Sequence, residues 1–125
     1  MKEVVFAKAA PAAIGPYSHA VKVGNMVFLS GQIGLDPATG KMVEGITEQT
    51  KQVFANIKAV LAEVGCTLAD VVKTTVYLNE MYHFGVMNDI YAEEFGDARP
   101  ARSAIAVKEL PKQALVEIEV IAMIP

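Results

Sequence analysis

Leu115-Val116-Glu117-Ile118-Glu119-Val120-Ile121-Ala122 is the stretch that decides the fold. Successive side chains of a strand point to opposite faces, so Val116, Ile118, Val120 and Ala122 share one face. Leu115, Glu117, Glu119 and Ile121 share the other. The first face is wholly apolar and needs a covering layer. The second mixes two carboxylates with two large aliphatic side chains, which suits neither free solvent nor a plain core. A strand like this belongs inside a sheet that carries helices on one face and meets something else on the other.

Working outward, Arg102 to Val107 reads as the strand before it, joined through a loop holding Pro111. Phe84, Met87, Tyr91 and Phe95 mark a helix that ends at Gly96. Leu68 to Leu78 has β character, with Val72, Thr74, Val76 and Leu78 expected on one face. Val71, Lys73, Thr75 and Tyr77 are expected on the other. Val53, Ile57, Val60, Leu61 and Val64 recur at helical spacing after Thr47, the expected N-cap, and Gly65 suits the left-handed residue beyond the last turn. Asp36-Pro37-Ala38-Thr39-Gly40 is a turn, and Gly24-Asn25 closes a hairpin between Ala20–Val23 and Met26–Leu29. Val4-Val5-Phe6 opens the chain as a short strand. The expected order is β-β-β-α-β-α-β-β in one domain over residues 1–125. That is an α+β fold: a single mixed sheet with two helices on one face.

The chain has 125 residues, 53% of them hydrophobic. This exceeds what so small a core needs, and the half-apolar second face points to another copy of the chain as its cover. The net charge is −3 and the basic residues are scattered singly, so nothing attracts a phosphate backbone at long range. Cys66 is the only cysteine, which excludes an intrachain disulfide and suits a reducing compartment. The N-terminus lacks a signal peptide's apolar core, and no stretch has the length of a membrane span. The expectation is a soluble cytoplasmic protein with no nucleic-acid or membrane partner.

Few residues stand out as chemical. Arg102 opens an apolar strand behind the stiff Arg99-Pro100-Ala101 approach. Its planar fork suits a carboxylate, and the ordinary alternative is an exposed arginine paired with Asp or Glu. Glu117 and Glu119 project from one face, where neighbouring carboxylates can divide acid and base roles; a solvated strand face is the commoner reading. Tyr17 follows the rigid Gly15-Pro16, and Ser30-Gly31-Gln32 leaves a strand in a turn whose N–H groups could meet a ligand oxygen. Asn88 lies mid-helix, where solvent exposure is the ordinary expectation. Cys66 has no histidine near it in sequence and reads as structural. His19 and His83 are isolated, and no spacing suits a metal. These residues alone describe a cleft able to handle a carboxylate, without naming a reaction.

Seven segments in order resemble the Rid (YjgF-type) family of reactive intermediate deaminases. They are Ala12-Ala13-Ile14-Gly15-Pro16-Tyr17-Ser18, Val23-Gly24-Asn25-Met26, Leu29-Ser30-Gly31-Gln32-Ile33, Asp36-Pro37-Ala38-Thr39-Gly40, Val72-Lys73-Thr74-Thr75-Val76-Tyr77, Pro100-Ala101-Arg102-Ser103 and Glu117-Ile118-Glu119. Each is weak alone, but the ordered set spans nearly the whole chain. The resemblance implies a chorismate-mutase-like fold, a homotrimer whose sheets form a barrel, and sites in the clefts between subunits. It also implies hydrolysis of 2-iminopropanoate and 2-iminobutanoate to keto acid and ammonia, without metal or organic cofactor. By the resemblance, Arg102 holds the substrate carboxylate and Glu117 positions the water and handles protons. Tyr17, Ser30, Gly31 and Asn88 contact or orient the ligand, with Tyr91 nearby, and Glu119 supports from behind. Where many members carry a cysteine two residues after the arginine, this chain has Ala104, which removes a thiol from the pocket wall but not the water chemistry. Relatives described as ribonucleases or translation inhibitors supply one rival reading, disfavoured by the acidic charge. A carboxylate-binding module without turnover is the other.

Overall fold

The computed structural model describes residues 1–125. The chain folds into strands β1 (Lys2–Val5), β2 (Ala20–Val23), β3 (Met26–Leu29) and β4 (Gln32–Ile33), helix α1 (Gly45–Glu63), strand β5 (Val71–Leu78), helix α2 (Phe84–Phe95), and strands β6 (Ala101–Ala106) and β7 (Val116–Met123). They form one mixed sheet in the order β1-β2-β3-β7-β5-β6, with β4 also paired to β7. All pairings are antiparallel except β5 with β6, the two strands that α2 connects. The α+β reading holds, and the two-residue β4 is an addition to the expected order.

The final strand lies near the middle of the sheet, between β3 or β4 on one side and β5 on the other. Its apolar face (Val116, Ile118, Val120 and Ala122) is fully buried, at 0–1% exposure. Val53, Phe54, Ile57, Val60 and Leu61 of α1 and Met87, Ile90, Tyr91 and Phe95 of α2 join that face in one core of 23 buried residues. Both helices therefore cover the same side. Phe54, Tyr91 and Phe95 meet edge-on or tilted, with centroids 4.6–6.0 Å apart, a favourable arrangement of aromatic quadrupoles.

The turn signals act as read. Gly24, at φ 59°, and Asn25 close the β2–β3 hairpin in the register Val23↔Met26. In the Asp36–Gly40 turn, the Gly40 N–H donates to Asp36 O at 2.7 Å and the Ala38 N–H to Asp36 Oδ1 at 2.9 Å. Three local expectations are corrected. Helix α1 begins at Gly45 rather than after Thr47, and Glu44 at its N-cap makes no side-chain bond. Tertiary bonds fix the helix instead: Asn56 Nδ2 donates to the carbonyls of Ile33 and Leu35, and Gln49 Oε1 accepts the Leu115 N–H. Leu68–Asp70 forms a 3-10 turn before β5, capped reciprocally by Thr67 and Asp70. Within β5 a bulge falls between Val71 and Lys73, where Val71 pairs with Ala122 and Lys73 with Ile121. Val72 is the extra residue. It faces out at 44% exposure, and Val71 takes its place on the buried face with Thr74, Val76 and Leu78.

Candidate functional site

Arg102 belongs to the helix-covered side of the sheet. It pairs in parallel register with Thr74, a fully buried residue whose hydroxyl lies 2.8 Å from the Tyr91 phenol oxygen. Strand β6 is a sheet edge with little cover, so Arg102 is exposed. Its guanidinium is nonetheless held. Nη1 donates to Asn88 Oδ1 at 2.7 Å, and Cζ stands 4.7 Å from the Tyr91 ring centroid and 5.4 Å from that of Phe84. Phe84, Asn88 and Tyr91 sit at i, i+4 and i+7 on α2, so one helix face makes the whole bed. Asn88 is half-buried rather than solvated, contrary to the ordinary reading of its position. Arg102 makes no ion pair, since the only salt bridge of the fold joins Lys58 and Glu94. A guanidinium that is oriented but not neutralised has the chemistry to receive an anion.

Glu117 stands on the other face. It pairs with Tyr77, which alternates with buried Val76 and Leu78, so its carboxyl points away from the helices. There it lines a cleft of about 390 Å³ with Tyr17, His19, Ser30, Gly31 and Lys112. Glu117 is half-buried, and desolvation, followed by the nearby Glu119 charge, pushes its pKa above the usual carboxylate value. A carboxyl raised this way is a better proton acceptor when ionised. Gly31 touches it so closely that a Cβ there would collide with the carboxylate.

The cleft wall is built by local bonds. The Tyr17 N–H donates to Gly15 O at 2.9 Å, and Gly15 has φ 131°, a value that favours glycine. The Ser30 hydroxyl donates to Ser18 O at 2.7 Å, and its N–H donates to His19 O at 3.0 Å. The Ser30 N–H is therefore committed to the fold and does not await a ligand oxygen, which narrows the expectation for that turn to its other N–H groups. His19 is buried. Its Nδ1 accepts the Ala7 N–H at 2.8 Å and its Nε2 lies 2.7 Å from Pro11 O, so the ring fastens the entering chain to the cleft wall.

The expected site residues thus fall into two groups. Tyr17, Ser30, Gly31 and Glu117 gather on the open face, and Asn88, Tyr91 and Arg102 gather under the helix side of the edge strand. One chain does not bring Arg102 to Glu117, because the sheet lies between them. Sequence reading missed Phe84 and Lys112. Phe84 was detectable from its helical spacing to Asn88 and Tyr91. Lys112 has φ 54°, a conformation lysine rarely adopts, so nothing local announced it. Cys66 is buried and belongs to neither group, its thiol pushed up first by desolvation and then by Asp70. No three His, Cys, Asp or Glu side chains converge to hold a metal, and no helix is long and apolar enough to cross a membrane.

Comparison with known proteins bears on which chemistry these groups serve. The family model described as Endoribonuclease L-PSP matches residues 7–124. A RutC family protein of Pyrococcus abyssi is 56% identical over 122 residues, covering 97% of this chain and 96% of that one. The solved structure of a Yersinia pestis protein of the conserved Rid family superposes with a TM-score of 0.97 at 48% identity, covering 99% of this chain and 100% of that one. This chain belongs to the Rid family. Within the family, the mouse 2-iminobutanoate/2-iminopropanoate deaminase is 46% identical over 124 residues, covering 98% of this chain and 92% of that protein. As a Rid protein, the chain has a relative whose name specifies a reaction on a small carboxylate-bearing molecule.

Proposed function

We propose that this Rid protein hydrolyses short 2-imino acids, including 2-iminopropanoate and 2-iminobutanoate, to 2-keto acids and ammonia. The observation that carries the reading is Arg102, a guanidinium fixed by Asn88, Tyr91 and Phe84 yet paired with no carboxylate of its own chain. It takes the substrate carboxylate through two parallel hydrogen bonds. Glu117 accepts a proton from water as the oxygen attacks the imine carbon. The proton passes to the nitrogen to give a carbinolamine. Transfer of its hydroxyl proton to the nitrogen through Glu117 then forms the C=O bond as the C–N bond breaks, releasing the keto acid and ammonia. An imine carbon is already electrophilic, so a positioned water and a general base worth ~10²–10⁴-fold are sufficient. Neither metal nor organic cofactor enters these steps.

Arg102 and Glu117 occupy opposite faces, so a complete site takes Arg102 from one copy and Glu117 from a neighbour. Val23, Phe28 and Met123 on the open face, each 45% exposed, support burial of that face in a homotrimer. A cleft of about 390 Å³ suits a small ligand. The chorismate-mutase-like barrel and a cytoplasmic location complete the proposal.

The test is a coupled assay in which a dehydratase makes 2-iminobutanoate from threonine while semicarbazide competes for the imine. Wild-type protein is expected to suppress semicarbazone formation, and Arg102→Ala to lose the effect by about 10²-fold or more while keeping its fold. Equal turnover in the variant overturns the assignment. Carboxylate binding without hydrolysis favours a binding module, and RNA cleavage without imine hydrolysis favours the endoribonuclease description of the family model.

A further inference from the structure

Two side chains beside Glu117 take no part in the reaction written above. Tyr77 is its cross-strand partner in the β5–β7 register, and the Tyr77 phenol donates to Glu119 Oε1 at 2.6 Å. Glu119 lies two residues along β7, so its side chain projects from the same face as Glu117. The phenol thus reaches diagonally past one carboxylate to hold the other. We propose that Tyr77 and Glu119 are a positioning pair for Glu117, in which the phenol fixes the second carboxylate and governs how much of its negative charge Glu117 feels. The inference rests on the reading of Glu117 as the base.

Two carboxylates on adjacent same-face positions repel, and something must moderate the repulsion if both stay ionised. Among the ionisable groups on this face, Tyr77 alone bonds either carboxylate. Tyr17, His19 and Lys112 share its cleft, and both His19 ring nitrogens are taken up by backbone groups. Lys73, on the same face of β5, directs Nζ to Ser103 Oγ at 3.2 Å. The Tyr77 phenol stays protonated, its pKa raised first by the bond to Glu119 and then by burial. It is therefore a fixed donor that disperses charge on Glu119. Glu117 responds to that charge, which is the second cause, after desolvation, of its raised pKa.

The pair makes opposite predictions for two near-isosteric variants. Glu119→Gln removes the charge but keeps an acceptor for the phenol. The acidic limb of kcat/KM is then expected to move to lower pH, so the variant outruns wild type severalfold on that limb. Tyr77→Phe keeps the ring but leaves the Glu119 charge undispersed, so the limb moves to higher pH. The double variant follows Glu119→Gln, because the phenol acts only through Glu119. KM at neutral pH and Tm stay close to wild type in all three, which a merely structural role would not combine with shifted limbs. The Glu117 carboxyl carbon, followed by 13C NMR titration, gives the same shifts without reference to turnover. Unmoved titrations, or shifts of both single variants in one direction, overturn the pair. Full activity in Glu117→Gln overturns the base assignment instead, and the NMR titration still decides whether the coupling exists.

Discussion

At position 31 there is room for a hydrogen atom and nothing larger. Gly31 has an ordinary backbone conformation, so its need for glycine comes from contact: a Cβ would meet the Glu117 side chain from Cγ to the carboxylate. The far end of that side chain can swing away, so Gly31→Ala is expected to displace Glu117 rather than unfold the protein. A displacement of about 1 Å costs on the order of 10²-fold in turnover, while Tm stays close to wild type. Steady-state kinetics beside a thermal melt separate the two effects, and an unfolded variant would contradict the contact argument. Arg102 teaches the complementary lesson. Its residue type and strand position were legible in the sequence, but its freedom from any acidic partner was not, because that depends on which elements lie beside a sheet edge.

At the scale of elements, the alternation of β7 was readable residue by residue, and all four apolar positions are buried. In β5 the same rule failed at two residues, Val71 and Val72, which exchange faces. The bulge that expels Val72 is a mismatch between two strands, and no property of Val72 announces it. The consequence is measurable. Leu78, fully buried, is expected to cost about 2–5 kcal/mol on substitution by alanine through lost burial and a residual cavity. Val72→Ala, on what alternation marked as the same face, is expected to cost less than about 1 kcal/mol. Urea denaturation of the two variants distinguishes the bulged register from strict alternation, under which both would be severe. Helix α1 shows a related limit: local capping chemistry pointed to Thr47, but bonds from Asn56 and Gln49 to distant backbone let it begin at Gly45.

For the whole molecule the central fact is the separation of Arg102 from Glu117 by the sheet. If a neighbouring copy completes each site, two dead variants can repair each other. Arg102→Ala and Glu117→Gln subunits, unfolded together and refolded as a 1:1 mixture, place an intact Arg102 beside an intact Glu117 in about one quarter of sites by random assortment around a closed ring. The mixture is expected to recover up to about that fraction of wild-type activity, while each variant alone stays inactive. No recovery in correctly assembled mixtures would mean that both residues act from one chain. The coupled imine assay reads the outcome directly.

By itself, the sequence determined the α+β class, the hairpin and turn positions, the faces of β7 and the identities of Arg102 and Glu117 as the groups to watch. Each of these depends on local periodicity, on turn stereochemistry or on residue type, which the chain carries wherever it is folded. Tertiary structure alone decided that the two groups stand on opposite faces, that Val72 drops out of register, and that Tyr77 reaches Glu119. Those facts follow from strand order and cross-strand pairing between segments some forty residues apart, set by the common burial of two helices and a sheet rather than by any stretch read alone.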